Sequence, residues 1–591
     1  MSDACKQFFG LPELLKLLTE RLEQTDVANL ILTNRQIHYF CTPSLYNELR
    51  CVEGQAVGSR DFRIFETLPA LHALARNSKY VRILDIGITE LAYYYNCVLA
   101  FEQELQSQTT TYSLWHSGLA WLPPACLPRA DTHSCQIVAL PPMTRLFQLD
   151  ITIGPIHEKS YSVPSVKDFR ARLAQTCWLI SQNPGLVSLT LSGTPILERR
   201  ARILAETLAK LSRLETLVLD IHCRIHYWLE IWRQLFFCLP SSTRKLTVNF
   251  KENGRAWRYE HVSLRPINNR YIRYMEDREA AAGVMELRKE PLHHLEELSF
   301  RGMRGHWWKN TVDLAAMFAH CPNLKKFDAH LPISNQTLDV EAVARLIAEA
   351  CPRIEVLAYG PNREQDHMVF PFRIMSALLA QQVVSVELRV GRSGIDVPLM
   401  NLAIQRHSTT LRELRFQKAN KIFSEISVSI ILQECRNLEV LHMPCTRTAG
   451  FYVTLDNALE HPWTCARLTH LALGISGCEV PEEPGVEPYH RRPTPIILTA
   501  DETRHFSRLE DFYRRIGALT ALKESNMRMV LLLNDNGEVD VERMQSDRMA
   551  FPAMLSLPDP QIGMPGYLDL FSALSGLEVL RGFGAEVGDD E

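Results

Sequence analysis

One pattern, Leu-x-x-Leu-x-Leu with apolar substitutions, recurs along this chain and sets its period. Instances begin at Leu146, Leu186, Leu214, Thr243, Leu295, Leu324, Ile354, Val383, Leu411, Leu438, Leu468 and Leu577. From Leu295 to Leu468 the start-to-start intervals are 29, 30, 29, 28, 27 and 30 residues. A near-constant period of this size marks stacked supersecondary units. Within each instance the last anchors alternate with polar residues, the periodicity of a strand with one buried face. Between the strands run helix-period stripes: Leu314, Met317, Phe318 and Cys321; Ala344, Ile347, Ala348 and Cys351; Val428, Ile431, Leu432 and Cys435. A unit of one strand and one helix cannot cover its own apolar face, so the units must stack.

In all three stripes the cysteine lies three residues before the first strand anchor, as in Cys321-Pro322-Asn323-Leu324 and Cys351-Pro352-Arg353-Ile354. Proline there stops the helix, and the cysteine reads as a small buried hydrophobe rather than a redox or metal residue. This Cys-Pro-x-Leu-x-x-Leu/Phe junction resembles the cysteine-containing leucine-rich repeats of ribonuclease-inhibitor-like horseshoes, over roughly residues 140–475. The resemblance implies an α/β solenoid, a horseshoe with parallel strands inside and helices outside, spanning 60–584. Each unit should spend only three to five residues on strand. Departures from the period place insertions near 103–142, 251–291, 476–495 and 534–566.

The segment 8–50 is of another kind. Leu14, Leu15, Leu18 and Leu22 form a helical stripe after Leu11-Pro12, where proline suits a first turn. Thr25-Asp26 offers a cap to a second stripe of Val27, Leu30 and Ile31. Thr42-Pro43 reads as the opening of a third short helix with Leu45 and Tyr46. A module this small buries little on its own and needs either a partner or the adjacent repeats. Leu11-Pro12-Glu13-Leu14-Leu15, the Asp26-to-Leu30 spacing, Arg35 and the Pro43-Ser44-Leu45-Tyr46 tail resemble the F-box of fungal F-box/leucine-rich-repeat proteins. Where that family carries Val-Cys-Arg-x-Trp, this chain has Thr33-Asn34-Arg35-Gln36-Ile37. The resemblance implies docking to a Skp-type adaptor of a cullin ligase through Leu11, Pro12, Leu14, Leu15, Leu18, Leu30 and Ile31. Read without it, the same segment is a helical cap on the solenoid.

Composition closes off other classes. With 64 basic against 68 acidic residues no field draws the chain to nucleic acid or membrane. The first thirty residues are broken by Lys6, Glu13, Lys16 and Glu20, unlike a signal peptide. The 15 cysteines include no Cys-x-x-Cys pair, so a reducing compartment is expected, cytoplasmic or nuclear. No nucleophile elbow, phosphate loop or zinc-protease motif is present, so neither enzyme activity nor a cofactor is expected. His222, Cys223 and His226 lack a second cluster and read as packing, not metal ligands.

Strand residues between the anchors should face away from the helices. On the repeats they are Arg301, Lys326, Asp328, His330, Glu387, Arg389, Glu413, Arg415, His442 and His470. Mixed charge of this kind suits a protein target, since DNA would select one sign. Two functions follow. One is the substrate-recognition subunit of an SCF-type ubiquitin ligase, the F-box on the adaptor and the inner face on an unknown target protein. The other is an interaction scaffold with no ligase link.

Overall fold

A computed structural model gives the fold. It describes residues 12–19, 21–22, 24–51, 68–87, 140–152, 166–195, 198–223, 228–252, 289–301, 311–329, 339–360, 369–389, 395–417, 422–423, 426–443, 445–446, 449–460, 462–476 and 524–529, with scattered positions between 91 and 101 and between 500 and 521. The chain forms two units, Met1–Glu297 and Leu298–Glu591. Most of the four expected insertions, and the instance at Leu577, lie outside the described residues.

Unit 1 opens with α1 (Pro12–Thr19), α2 (Gln24–Ile31) and α3 (Arg35–Asn47). Leu15, Val27, Ile37, Cys41 and Leu45 form their small core. The break expected at Thr42-Pro43 is absent, and α3 runs straight through Pro43. A proline inside a helix removes a hydrogen bond and costs roughly 3 kcal/mol. Here Cys41 before it and Leu45 after it are buried in the same core, which holds the helix in one piece. Asp26 lies in the first turn of α2 rather than ahead of it. Helix α3 then passes directly into β1 (Glu48–Cys51), so the module end expected at residue 50 falls inside a strand.

The rest of unit 1 alternates: α4 (Leu68–Asn77), β2 (Ile83–Gly87), β3 (Gln148–Thr152), α5 (Val166–Ser181), β4 (Ser188–Pro195), α6 (Glu198–Leu208), β5 (Thr216–Cys223), α7 (Trp228–Phe236) and β6 (Lys245–Glu252). Strands β1 to β6 pair in sequence order, all parallel. Parallel neighbours need a crossover, and the helices between β3 and β6 supply it. Strands β4, β5 and β6 are eight residues long, beyond the expected three to five. The extra length of β4 follows a bulge: its register against β5 shifts between Leu191 and Thr194, where Gly193 takes φ 71. A residue with a Cβ resists that left-handed conformation.

Unit 2 carries β7 (Glu297–Arg301, its first residue closing unit 1), α8 (Thr311–Ala319), β8 (Lys326–Ala329), α9 (Val340–Ala350), β9 (Val356–Tyr359), α10 (Phe370–Ala377), β10 (Ser385–Arg389), α11 (Val397–His407) and β11 (Glu413–Gln417). It continues with β12 (Ile422–Phe423), α12 (Ile426–Glu434), β13 (Val440–His442), β14 (Cys445–Thr446), β15 (Ala449–Thr454), α13 (Leu455–Glu460), β16 (His470–Ser476) and β17 (Glu524–Met529). Strands β8, β9, β10, β11, β13, β16 and β17 pair in that order, all parallel. Beside them β15 pairs in parallel with β16 and antiparallel with β14, an addition the repeat period does not contain.

The anchors explain the stack. Phe327, Leu357, Val386, Leu414, Leu441 and Leu471 stand in one register row and are 0–1% exposed. The first anchors, from Leu324 to Leu468, are equally buried. Each fully buried leucine side chain contributes about 1.5–3 kcal/mol. On the other side of this layer lie the helices: the Phe318 ring of α8 meets Phe327 edge-to-face at 5.3 Å, and Tyr359 packs on Phe370 of α10. One backbone device recurs at each turn. The first two N–H groups of a repeat donate to a single carbonyl of the repeat before it. Glu355 and Val356 donate to Lys325, Val384 and Ser385 to Glu355, and Arg412 and Glu413 to Val384. Unit 1 does the same, with Glu215 and Thr216 on Val187 and Arg244 and Lys245 on Glu215. Strand rows, buried anchors and this shared turn make each unit an α/β leucine-rich-repeat stack.

Helix starts are capped as their sequence demands. Asp339 accepts the N–H groups of Glu341 and Ala342 at α9, and Asp396 that of Leu399 at α11. Helix ends place Cys321, Cys351 and Cys435, fully buried, under the following strand.

Candidate functional site

Two surfaces carry the residues singled out from the sequence. The first is the α1–α3 module. Leu15 is 1% exposed and belongs to the module core, so it is not a surface docking residue. A helical stripe marks the face a helix turns to its own neighbours, and Leu15 sits at the centre of that stripe. Leu14 and Leu18 are half-buried, and Leu30 and Ile31 are partly buried against the core. Pro12 begins α1, and Leu11 lies outside the described residues.

Other apolar side chains of the module face solvent outright. Leu17 is 58% exposed, Leu32 82%, Tyr39 72% and Phe40 36%. Leu32 stands in the turn between α2 and α3, and the Tyr39 and Phe40 rings meet edge-to-face at 5.4 Å. The sequence reading missed these four because they fall off the stripes. For Leu17, Tyr39 and Phe40 the signal that could have found them is an apolar residue that helical periodicity turns away from the core; Leu32 lies in a turn that no helical period governs. The module is held to its neighbours by backbone and by polar contacts. Arg82 N–H donates to Asn47 carbonyl, joining the module to the first repeat, and within the module the Thr19 hydroxyl donates to Ser44 Oγ at 3.2 Å across α1 and α3.

The second surface is the open face of the unit 2 sheet. Register places its side chains in rows. Lys326, Val356, Ser385, Glu413, Val440 and His470 form one row. Asp328, Ala358, Glu387, Arg415, His442 and Ala472 form the next. Arg389 and Gln417 stand side by side beyond them. The structure therefore brings nine of the ten expected residues onto strands of this sheet or, for Arg301, onto β7, and His330 lies outside the described residues.

Their environments differ. Asp328 is 4% exposed rather than solvated. Its Oδ2 accepts from Arg301 Nε at 3.0 Å, Arg301 Nη2 at 2.6 Å and the Ser299 hydroxyl at 2.9 Å. Glu387 Oε1 accepts from Gln417 Nε2 at 2.6 Å. Glu413 Oε2 accepts from Ser385 at 3.4 Å and lies 3.5 Å from Arg415 Nε. Burial, helped by the Arg415 charge, lowers the pKa of His442 below the ordinary imidazole value, so it is neutral at pH 7. Among the described residues the arrangement is a lattice of hydrogen bonds and charges. Among the described residues no three His, Cys, Asp or Glu side chains converge to hold a metal, and no helix is long and apolar enough to cross a membrane.

No protein-family description matches the chain, and no curated protein matches it. Solved structures do. The chain is similar to the leucine-rich repeat-containing protein LegL7 from Legionella pneumophila, at 11% identity and a TM-score of 0.30, covering 71% of this chain and 96% of that one. It is also similar to a chain of the TLR13–ssRNA13 complex, at 11% identity and a TM-score of 0.20, covering 67% of this chain and 65% of that one.

Proposed function

We propose that the chain is the substrate-recognition subunit of an SCF-type ubiquitin ligase. In this reading α1–α3 dock a Skp-type adaptor and so join a cullin ligase, while the open face of the repeats holds a target protein. The chain itself performs no chemistry; it raises the local concentration of target near the ubiquitin donor. No cofactor takes part.

The observation that carries the reading is the solvent-facing apolar set of the module. Leu17, Leu32 and Tyr39 are more than half exposed beside a core that, among the described residues, consists of Leu15, Val27, Ile37, Cys41 and Leu45. Exposed apolar groups on so small a module are available to a partner surface. The experiment is reconstitution. Full-length chain mixed with a Skp-type adaptor should elute as one complex, and a variant carrying Leu32→Asp should not. Separate elution of the wild-type chain and adaptor at micromolar concentration would overturn the reading.

A second reading is favoured by the path of α3. The helix runs into β1, whose residues pair with β2 from Glu48↔Ile83 to Cys51↔Ile86. In this reading the module caps the first repeat of a recognition scaffold that has no ligase link. A chain that captures a target but no adaptor would establish this alternative.

A further inference from the structure

Among the described side chains of the open face of unit 2, the carboxylates Asp328, Glu387 and Glu413 are answered from within the protein, and two cations are not. Asp328 has Arg301 and Ser299, Glu387 has Gln417, and Glu413 has Ser385 and Arg415. Lys326 and Arg389 have no hydrogen-bond or ion-pair partner among the described residues. Lys326 stands beside Val356, and Arg389 beside Gln417, whose amide is already given to Glu387. Arg415 adds capacity of the same sign, because among the described residues only its Nε is engaged and its side chain is 40% exposed. The unspent hydrogen-bonding groups of these cations are donors.

We infer that this face takes an acidic segment of a partner protein, its carboxylates meeting Lys326 and Arg389. The inference rests on the reading of the open face as the target site and gives that site its chemistry. Two strands across and four residues along separate the two positions by roughly 16 Å, from a strand spacing of about 4.8 Å and a rise of about 3.3 Å per residue. An extended segment with acidic residues about four or six positions apart, an even spacing that turns both side chains to one face, spans that distance. A basic segment would find each carboxylate already holding a donor and would face two unneutralised cations. Complementarity of this kind sets which partner is accepted.

The test uses the full chain and two fluorescent peptides, oligoglutamate and oligolysine, followed by anisotropy. Oligoglutamate should bind, more weakly as salt is raised. Lys326→Glu with Arg389→Glu should weaken it about tenfold or more, and oligolysine should bind poorly to the wild-type chain. Should the reversals impair folding, Lys326→Gln with Arg389→Gln gives the same comparison without new charge. Equal binding of both peptides, no binding of oligoglutamate to folded wild-type chain, or oligoglutamate binding unchanged in the variants would overturn the inference. So would tighter binding of a single-stranded oligodeoxynucleotide that the same substitutions abolish. Adaptor binding measured on the same preparations keeps the two proposals apart. Oligoglutamate capture without adaptor capture supports the inference and removes only the ligase, while the converse removes only the inference.

Discussion

Arg301 places two of its nitrogens, Nε and Nη2, on the same oxygen of Asp328, at 3.0 and 2.6 Å. The Asp328 side chain keeps only 5% of its surface, while that of Arg301 keeps 44%. A carboxylate so deeply placed depends on its partner, and truncating the partner leaves it with the Ser299 hydroxyl alone. Arg301→Ala should therefore destabilise unit 2 by about 1–3 kcal/mol, the exposed end of the arginine holding the figure down. Adding Asp328→Ala should return part of the loss, because the stranded charge then goes as well. Urea unfolding of the two single variants and the double variant measures the coupling; strict additivity would mean that the pair is not coupled.

His407, fully buried, gives stability a pH dependence. Its Nδ1 accepts from the N–H groups of Gln382 and Val383 at 3.2 and 3.3 Å, and its Nε2 donates to Met375 carbonyl at 2.9 Å. Two donors on Nδ1 require that nitrogen to be bare, so the ring is the neutral Nε2–H tautomer. Burial first, and the Arg406 charge, lower its pKa below the ordinary value. Above about 6.5 the folded and unfolded chains hold the same neutral ring. Below it the unfolded chain takes up a proton that the folded site refuses, so stability falls as pH drops toward the lowered folded value. Unfolding midpoints across that range should slope downward with acid in the wild-type chain and less steeply in His407→Gln. His442, lowered in the same direction, accounts for part of the remaining slope. An identical slope in both proteins would contradict this assignment.

The repeat cysteines should be silent until the chain unfolds. Cys321 donates to Met317 carbonyl at 3.4 Å and Cys351 to Phe318 carbonyl at 3.6 Å. Burial pushes the Cys351 and Cys435 thiols up to about 12 and Cys465 to about 11. A thiol that is both covered and protonated does not react as a nucleophile. A chromogenic disulfide should leave these four untouched in the native chain and modify them in urea. Cys→Ser at any one should cost about 1–3 kcal/mol, through a hydroxyl short of partners in an apolar site. Rapid native labelling of Cys321 or Cys351 would show that the repeats open there.

What the sequence disclosed was whatever the period governs. The anchors of unit 2, their parallel rows and the shared phase of Cys321, Cys351 and Cys435 follow from spacing alone. Cys465 holds the same place before Leu468, but α13 ends at Glu460 and no continuous helical stripe leads to it. The eight-residue strands of unit 1 depend on pairing between repeats and on the Gly193 bulge, neither of which a Leu-x-x-Leu-x-Leu count contains. Spacing sets Asp328 among the strand residues between the anchors, yet it is buried against Arg301, 27 residues away in sequence. In the module the apolar stripes mark the core, where Leu15 lies, and Leu32 and Tyr39 fall outside them. Periodicity locates the face a helix hides; it does not locate apolar residues that a helix leaves in water.

The most direct measurement is a calorimetric titration of the full chain with a Skp-type adaptor, beside the same titration of a Leu32→Asp, Tyr39→Ala variant. Both side chains are more than 70% exposed, so the variant should unfold at the wild-type temperature. The wild-type chain should bind with a Kd in the micromolar range or tighter, and the variant at least about a hundredfold more weakly, the loss expected when two apolar contacts at about 1.4 kcal/mol or more apiece leave an interface. No binding by the wild-type chain, or equal binding by the variant, would contradict the assignment of α1–α3 as the adaptor-docking surface.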